Sequence, residues 1–189
     1  MMPVWLTERE HATLVAACTR LIPADEDGPG AGMLGAPEYI DTLLGAFSFD
    51  PPRIWAGGPV SGRHGGPPGA FARFHRLNRL DELAWRTRIE GSQGLPERER
   101  NGPVVGLQER YRRGIEALGH DFAESPTEVQ DDRLRRHQEF TDLLYRHTCE
   151  AVYGPPEYGG NLGGAGWRTI GFDGDVQPRG WSDAEVSGP

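Results

Sequence analysis

An all-α fold of about five or six helices, joined by long Gly/Pro-rich loops and closed by an irregular C-terminal wrap, follows from three observations. Apolar residues recur at three- and four-residue steps in several separate segments. Those segments stop on proline or glycine, and the alternation that marks strands is nearly absent. The 189 residues form a single domain, long enough to bury a core.

The first helix opens on Thr7-Glu8-Arg9-Glu10, a Thr-x-x-Glu capping box in which hydroxyl and carboxylate each satisfy an orphan backbone donor. Leu14, Val15, Cys18, Leu21 and Ile22 then share one face, and Pro23 ends the run. Pro37 opens a second helix at its first position, with Ile40, Leu43, Leu44 and Phe47 together on one face. Residues 48–69 are dense in Gly and Pro and read as an extended excursion of the functional or partner-bound kind. A third helix covers Asn78 to Glu90 and turns Leu80, Leu83, Ala84, Trp85 and Ile89 inward. After a loop, Val104, Leu107, Tyr111, Ile115 and Leu118 mark a fourth, stopped near Gly119. Ser125-Pro126 caps a short charged helix reaching about Arg136. A longer one follows, with Phe140, Leu143, Leu144, His147, Ala151 and Val152 on its inner face. From Gly154 to residue 189 Gly, Pro and Trp dominate.

Composition narrows the function. The chain carries a net charge of −8 and no lysine, and Gly plus Pro make up 43 residues. Its acidity argues against nucleic acid, which needs concentrated positive charge. The sum hides a pattern, however: residues 1–52, 53–113 and 114–189 carry −6, +6 and −8. Either the segments pack beside one another, or the arginine-rich middle docks on an acidic partner. No stretch reaches the roughly 18 apolar residues of a membrane span. The N-terminus lacks the features of a secretory signal, and Arg112-Arg113 and Arg135-Arg136 lie too far inside for a twin-arginine leader. A cytoplasmic protein is therefore expected, unless a signal-bearing partner exports it as a passenger.

No self-contained active site is legible. Cys18 and Cys149 fit no zinc, haem or iron-sulfur spacing, and read as buried thiols or as half of a disulfide, to each other or to another chain. Glu8 and His11 make one Glu-x-x-His pair where a di-metal bundle needs two. Asp25-Glu26-Asp27-Gly28 offers hard oxygen ligands without EF-hand spacing, and reads as an exposed acidic turn. His147 reads as a satisfied core or interface histidine. The glycine run 159–166 lacks a Walker lysine and a preceding strand, which excludes a phosphate loop, and no G-x-S-x-G elbow is present. A metal or redox protein built on Asp25, Asp27, His147 and Cys149 stays as the competing reading.

Two motifs carry a resemblance. The segment Tyr153-Gly-Pro-Pro-Glu-Tyr-Gly-Gly-Asn-Leu-Gly-Gly-Ala-Gly-Trp-Arg-Thr-Ile-Gly-Phe-Asp-Gly174 resembles the C-terminal signature of the gluconate 2-dehydrogenase subunit 3 family. Leu6-Thr7-Glu8, followed by Leu21-Ile-Pro-Ala-Asp-Glu-Asp-Gly-Pro-Gly30, is similar to that family's opening. The resemblance implies an all-α, non-catalytic small subunit that binds no cofactor itself. Its partner would be a large FAD-containing subunit of the glucose-methanol-choline (GMC) oxidoreductase type, acting on a sugar, sugar acid or polyol, with a cytochrome c subunit in some complexes. The implied roles are stability, maturation and export of the large subunit; a transient chaperone or escort is the alternative. Many relatives carry a twin-arginine leader, which this sequence lacks.

The expected contacts with that partner combine aromatic anchors with closely approaching backbone. The candidates are Arg53 and Trp55 in the excursion, Cys149 on the last long helix, and Tyr158, Gly159, Gly160, Asn161, Trp167 and Phe172 in the glycine-rich signature.

Overall fold

The computed structural model describes residues 2–54 and 77–172. Trp55, the rest of the excursion after it and the chain beyond Phe172 lie outside the described residues. Seven α-helices and no strand occur among the described residues. They are α1 (Glu8–Leu21), α2 (Ala36–Leu44), α3 (Arg79–Glu90), α4 (Leu107–Leu118), α5 (Thr127–Arg136), α6 (Gln138–Tyr153) and the short α7 (Ala165–Thr169). The all-α expectation holds.

Helix α6 is the hub, packed against α1, α2, α4, α5 and α7. Its sequence explains why. Phe140, Leu143, Leu144, His147, Ala151 and Val152 form the buried stripe that the spacing predicts, joined by Thr148. Leu14, Ala17 and Cys18 of α1, Ile40 and Leu44 of α2 and Tyr111, Ile115 and Leu118 of α4 close over it.

The helix ends follow their local chemistry. Thr7 and Glu10 form the reciprocal capping box, with the Glu10 carboxylate accepting the Thr7 N–H at 2.8 Å. The Asn78 side-chain oxygen caps α3 by accepting the Leu80 and Asp81 N–H groups, both at 2.9 Å. Pro37 stands one residue inside α2 rather than opening it. Ser125 does not cap α5: its hydroxyl turns back to the Asp121 carbonyl at 2.8 Å, and Pro126 occupies the capping position without a side-chain bond.

Two faces differ from the expectation. On α3 only Ile89 is buried, whereas Leu80 is 76% exposed and Ala84 is also exposed. Helix α3 packs on α4, and the positions of Leu80 and Ala84 stay exposed among the described residues. Val104 and Val105 precede α4 and lie on the surface. There the Val104 carbonyl accepts the Ser92 N–H at 2.9 Å and the Val104 N–H donates to the Ser92 hydroxyl at 2.6 Å, instead of the residue entering the core.

An N-terminal clamp was not anticipated. Asp41 of α2 is 3% exposed and accepts the backbone N–H groups of Val4, Trp5 and Leu6, the last at 2.8 Å. A buried carboxylate needs such donors to offset its lost hydration. Between helices, Arg20 of α1 grips Asp131 of α5 bidentately at 2.8 and 2.9 Å.

Candidate functional site

The two motifs that are farthest apart in the sequence meet in space. The loop after α1 and the glycine-rich segment after α6 lie side by side: the Leu162 N–H donates to the Leu34 carbonyl at 3.2 Å. Gly28 packs so closely on Thr169 that a Cβ there would sit 2.4 Å from the threonine methyl. Below them, the segment rests directly on the last turn of α6. A Cβ on Gly160 would lie 2.3 Å from the Ala151 carbonyl oxygen, and one on Gly166 would lie 2.1 Å from that of Val152. Only hydrogen fits at either position.

Asn161 pins this arrangement. It is fully buried, with a left-handed φ of 47° that asparagine tolerates better than most residues. Its amide donates to the Gly154 carbonyl at 2.9 Å and accepts the Gly166 N–H at 2.8 Å, which closes the loop 154–166 on itself. Gly160 and Asn161 are therefore buried parts of the scaffold, not surface contacts.

The aromatics behave differently. Trp167 donates its indole N–H to the Tyr153 carbonyl at 2.8 Å and meets Phe172 edge to face at 5.2 Å. Phe172 is 47% exposed, as are large parts of Leu162 and Ile170 in the same segment. On α6, Tyr145, Cys149 and Tyr153 follow at four-residue steps, with both tyrosines exposed and Cys149 half-buried. The neighbouring Cys149 thiol raises the Tyr145 pKa. Cys149, Trp167 and Phe172 thus belong to one aromatic margin running from α6 into the signature segment.

Arg53 and Tyr158 belong elsewhere. With Tyr39, Leu43, Ile54 and Trp85 they line a hollow of about 180 Å³. Gly159 is exposed beside it at φ 100° and turns the chain.

The residues of the competing metal or redox reading do not converge. His147 is 3% exposed and its Nδ1 lies 2.7 Å from the Tyr111 hydroxyl, with the two rings stacked at 5.7 Å. Burial, aided by Arg88, Arg146 and Arg110, lowers the His147 pKa to about 4. The imidazole is neutral and shares this hydrogen bond with a phenol that its own burial keeps protonated. Asp25 is occupied in its own turn, where its carboxylate accepts the Asp27 and Gly28 N–H groups at 3.0 and 3.1 Å. His11 faces Glu38 at 3.4 Å. Among the described residues no three His, Cys, Asp or Glu side chains gather as a metal site.

Both thiols are free. Cys18 is buried, 3.5 Å from the Thr148 hydroxyl, and burial pushes its pKa to about 12. Helix α6 turns Thr148 toward α1, so Cys149, one residue on, faces away from Cys18.

The sequence pattern of gluconate 2-dehydrogenase subunit 3 matches residues 8–174, which takes in the second motif, the first motif from Glu8 onward and the seven described α-helices. This chain belongs to that family. No curated protein and no solved structure gave a match. Membership makes the chain a subunit of a multi-subunit dehydrogenase complex. No helix among the described residues is long and apolar enough to cross a membrane.

Proposed function

We propose that this chain is the non-catalytic small subunit of an FAD-dependent dehydrogenase of the GMC type, which oxidises a sugar, sugar acid or polyol. The large subunit holds the FAD and abstracts hydride, while this chain binds it, stabilises it and assists its maturation. A cytochrome c subunit as electron acceptor is compatible with the same assembly, and export would depend on a signal carried by a partner.

Family membership over residues 8–174 carries the reading. The geometry supports it in one respect. The two family motifs fold against each other and present an aromatic margin of Tyr153, Trp167 and Phe172 at a rigid edge. Aromatic anchors on a rigid scaffold are what interface hot spots consist of.

The test is co-expression with the large flavoprotein subunit of the complex, followed by size exclusion with flavin absorbance. A stable flavin-containing complex is expected, and Trp167→Ala combined with Phe172→Ala should weaken it by about 100-fold while leaving the helical spectrum intact. A chain that stays alone and never co-elutes with flavin would sink the proposal. Release of the flavoprotein once it is loaded would instead favour a transient escort.

A further inference from the structure

Three arginines of the basic middle segment, Arg88, Arg110 and Arg113, share one place in the fold with Arg136 and Arg146. Helices α3, α4 and α6 leave a groove of two adjoining hollows of about 480 Å³ each, which share Val105, Arg110 and Leu143. One hollow collects Arg88 from α3, Arg110 from α4 and Arg146 from α6 around the edge of the His147 ring. The other continues past Arg113 and Arg136. Guanidinium groups from four separate helices, with Arg136 contributed by α5, therefore line one open channel.

Internal carboxylates neutralise it only in part. Glu139 and Glu150 also line the groove, but Glu150 accepts from the Tyr39 hydroxyl at 3.2 Å, and Glu139 is 93% exposed and 3.8 Å from Arg110. Arg113 and Arg136 are engaged by Glu109 and Asp132 on their own helices. Among the described residues Arg88 and Arg146 have no carboxylate within ion-pairing distance, and Arg88 instead lies 5.0 Å over the Trp85 ring. The apolar part of the lining comes from the buried Leu143 and Phe140 and from Val104 and Val105, which are exposed at its rim.

We infer that this groove docks an acidic polypeptide segment of the large subunit, carrying two or more carboxylates beside apolar side chains. The inference rests on the subunit reading above and adds where, and by what chemistry, a second contact is made. Arginine forks suit carboxylates bidentately, and the apolar floor calls for side chains rather than a bare ion. The chain's net charge of −8 disfavours an extended polyanion, whereas a short acidic segment meets only the local field.

The experiment compares wild-type chain with Arg88→Glu combined with Arg146→Glu, both at exposed positions, in binding to the purified large subunit at low and high salt. Wild-type binding should weaken with salt. The variant should bind about tenfold or more weakly at low salt and lose most of that salt dependence, with unchanged helicity. Equal binding and equal salt dependence in the two would overturn the groove assignment while leaving the subunit reading standing. No binding by the wild type would remove both. If the isolated chain self-associates and the variant does not, the groove belongs to a second copy and the assignment to the flavoprotein fails.

Discussion

The helical core and the glycine-rich signature segment are held together by different physics. Around Tyr111 and His147 the core is an area effect: two stacked rings, a perpendicular Phe140 ring at 5.5 Å from Tyr111, and aliphatic side chains from four helices. Such packing tolerates swaps that conserve volume. The segment 154–172 buries little side chain. It is held at points, by hydrogens where Cβ atoms would clash and by one amide that makes two backbone bonds. A core of this kind yields gradually to substitution, and a pinned segment yields at a few positions and nowhere else.

The strongest challenge to the core is Tyr111→Ala, expected to cost about 3–5 kcal/mol in denaturant-induced unfolding, since it empties a fully buried ring site. Tyr111→Phe isolates the hydroxyl: leaving the His147 Nδ1 without its hydrogen-bond partner should cost about 1–3 kcal/mol.

Acid probes the same pair. The folded-state pKa of His147, about 4, is below the ordinary value near 6.5. Between those values the unfolded chain takes up a proton that the folded chain refuses. Stability from this group is thus complete above about pH 6.5 and falls as pH drops toward 4, by about 3 kcal/mol in all. Arg88, Arg110 and Arg146 on three helices act in the same direction. Unfolding measured across that window should show the loss, and His147→Gln should flatten it; an unchanged slope in H147Q would refute the assignment.

The segment answers to a different probe. Asn161→Ala should cost about 2 kcal/mol through its unpaired backbone groups. Hydrogen exchange should quicken at the amides of residues 154–172 and hardly change at those of α4 and α6. Faster exchange throughout would mean that segment and core unfold as one unit. The smallest effect is expected at the surface: Arg20→Ala, which breaks the exposed pair with Asp131, should cost under about 1 kcal/mol.

The same contrast explains what could be read from the chain beforehand. The inner face of α6 was legible residue by residue, because a period of 3.6 is written in the positions of Phe140 to Val152. Leu80 and Ala84 misled because their spacing is helical, yet spacing does not say which flank has a neighbour. Ser125 had the right type beside a proline but used its hydroxyl backwards, on Asp121. Asp41 and Asn161 left no periodic trace: a single polar residue that gathers distant backbone groups is defined only by the finished fold. The signature motif pointed to the segment that folds against the loop after α1. It could not separate Asn161 and Gly160, which build the edge, from Trp167 and Phe172, which stand on it, or assign Arg53 and Tyr158 to a different hollow.

The bond from Leu162 to Leu34 has one more consequence, in the order of events during synthesis. The seat for the signature segment consists of the loop after α1 and the last turn of α6, and neither is in place until the long-range pairing of α1, α2 and α6 is complete. The aromatic margin is thus among the last features to assemble on a chain made from its N-terminus. A partner that read Trp167 and Phe172 in that setting would discriminate finished subunits from unfinished ones, and such recognition would itself serve as a check on folding.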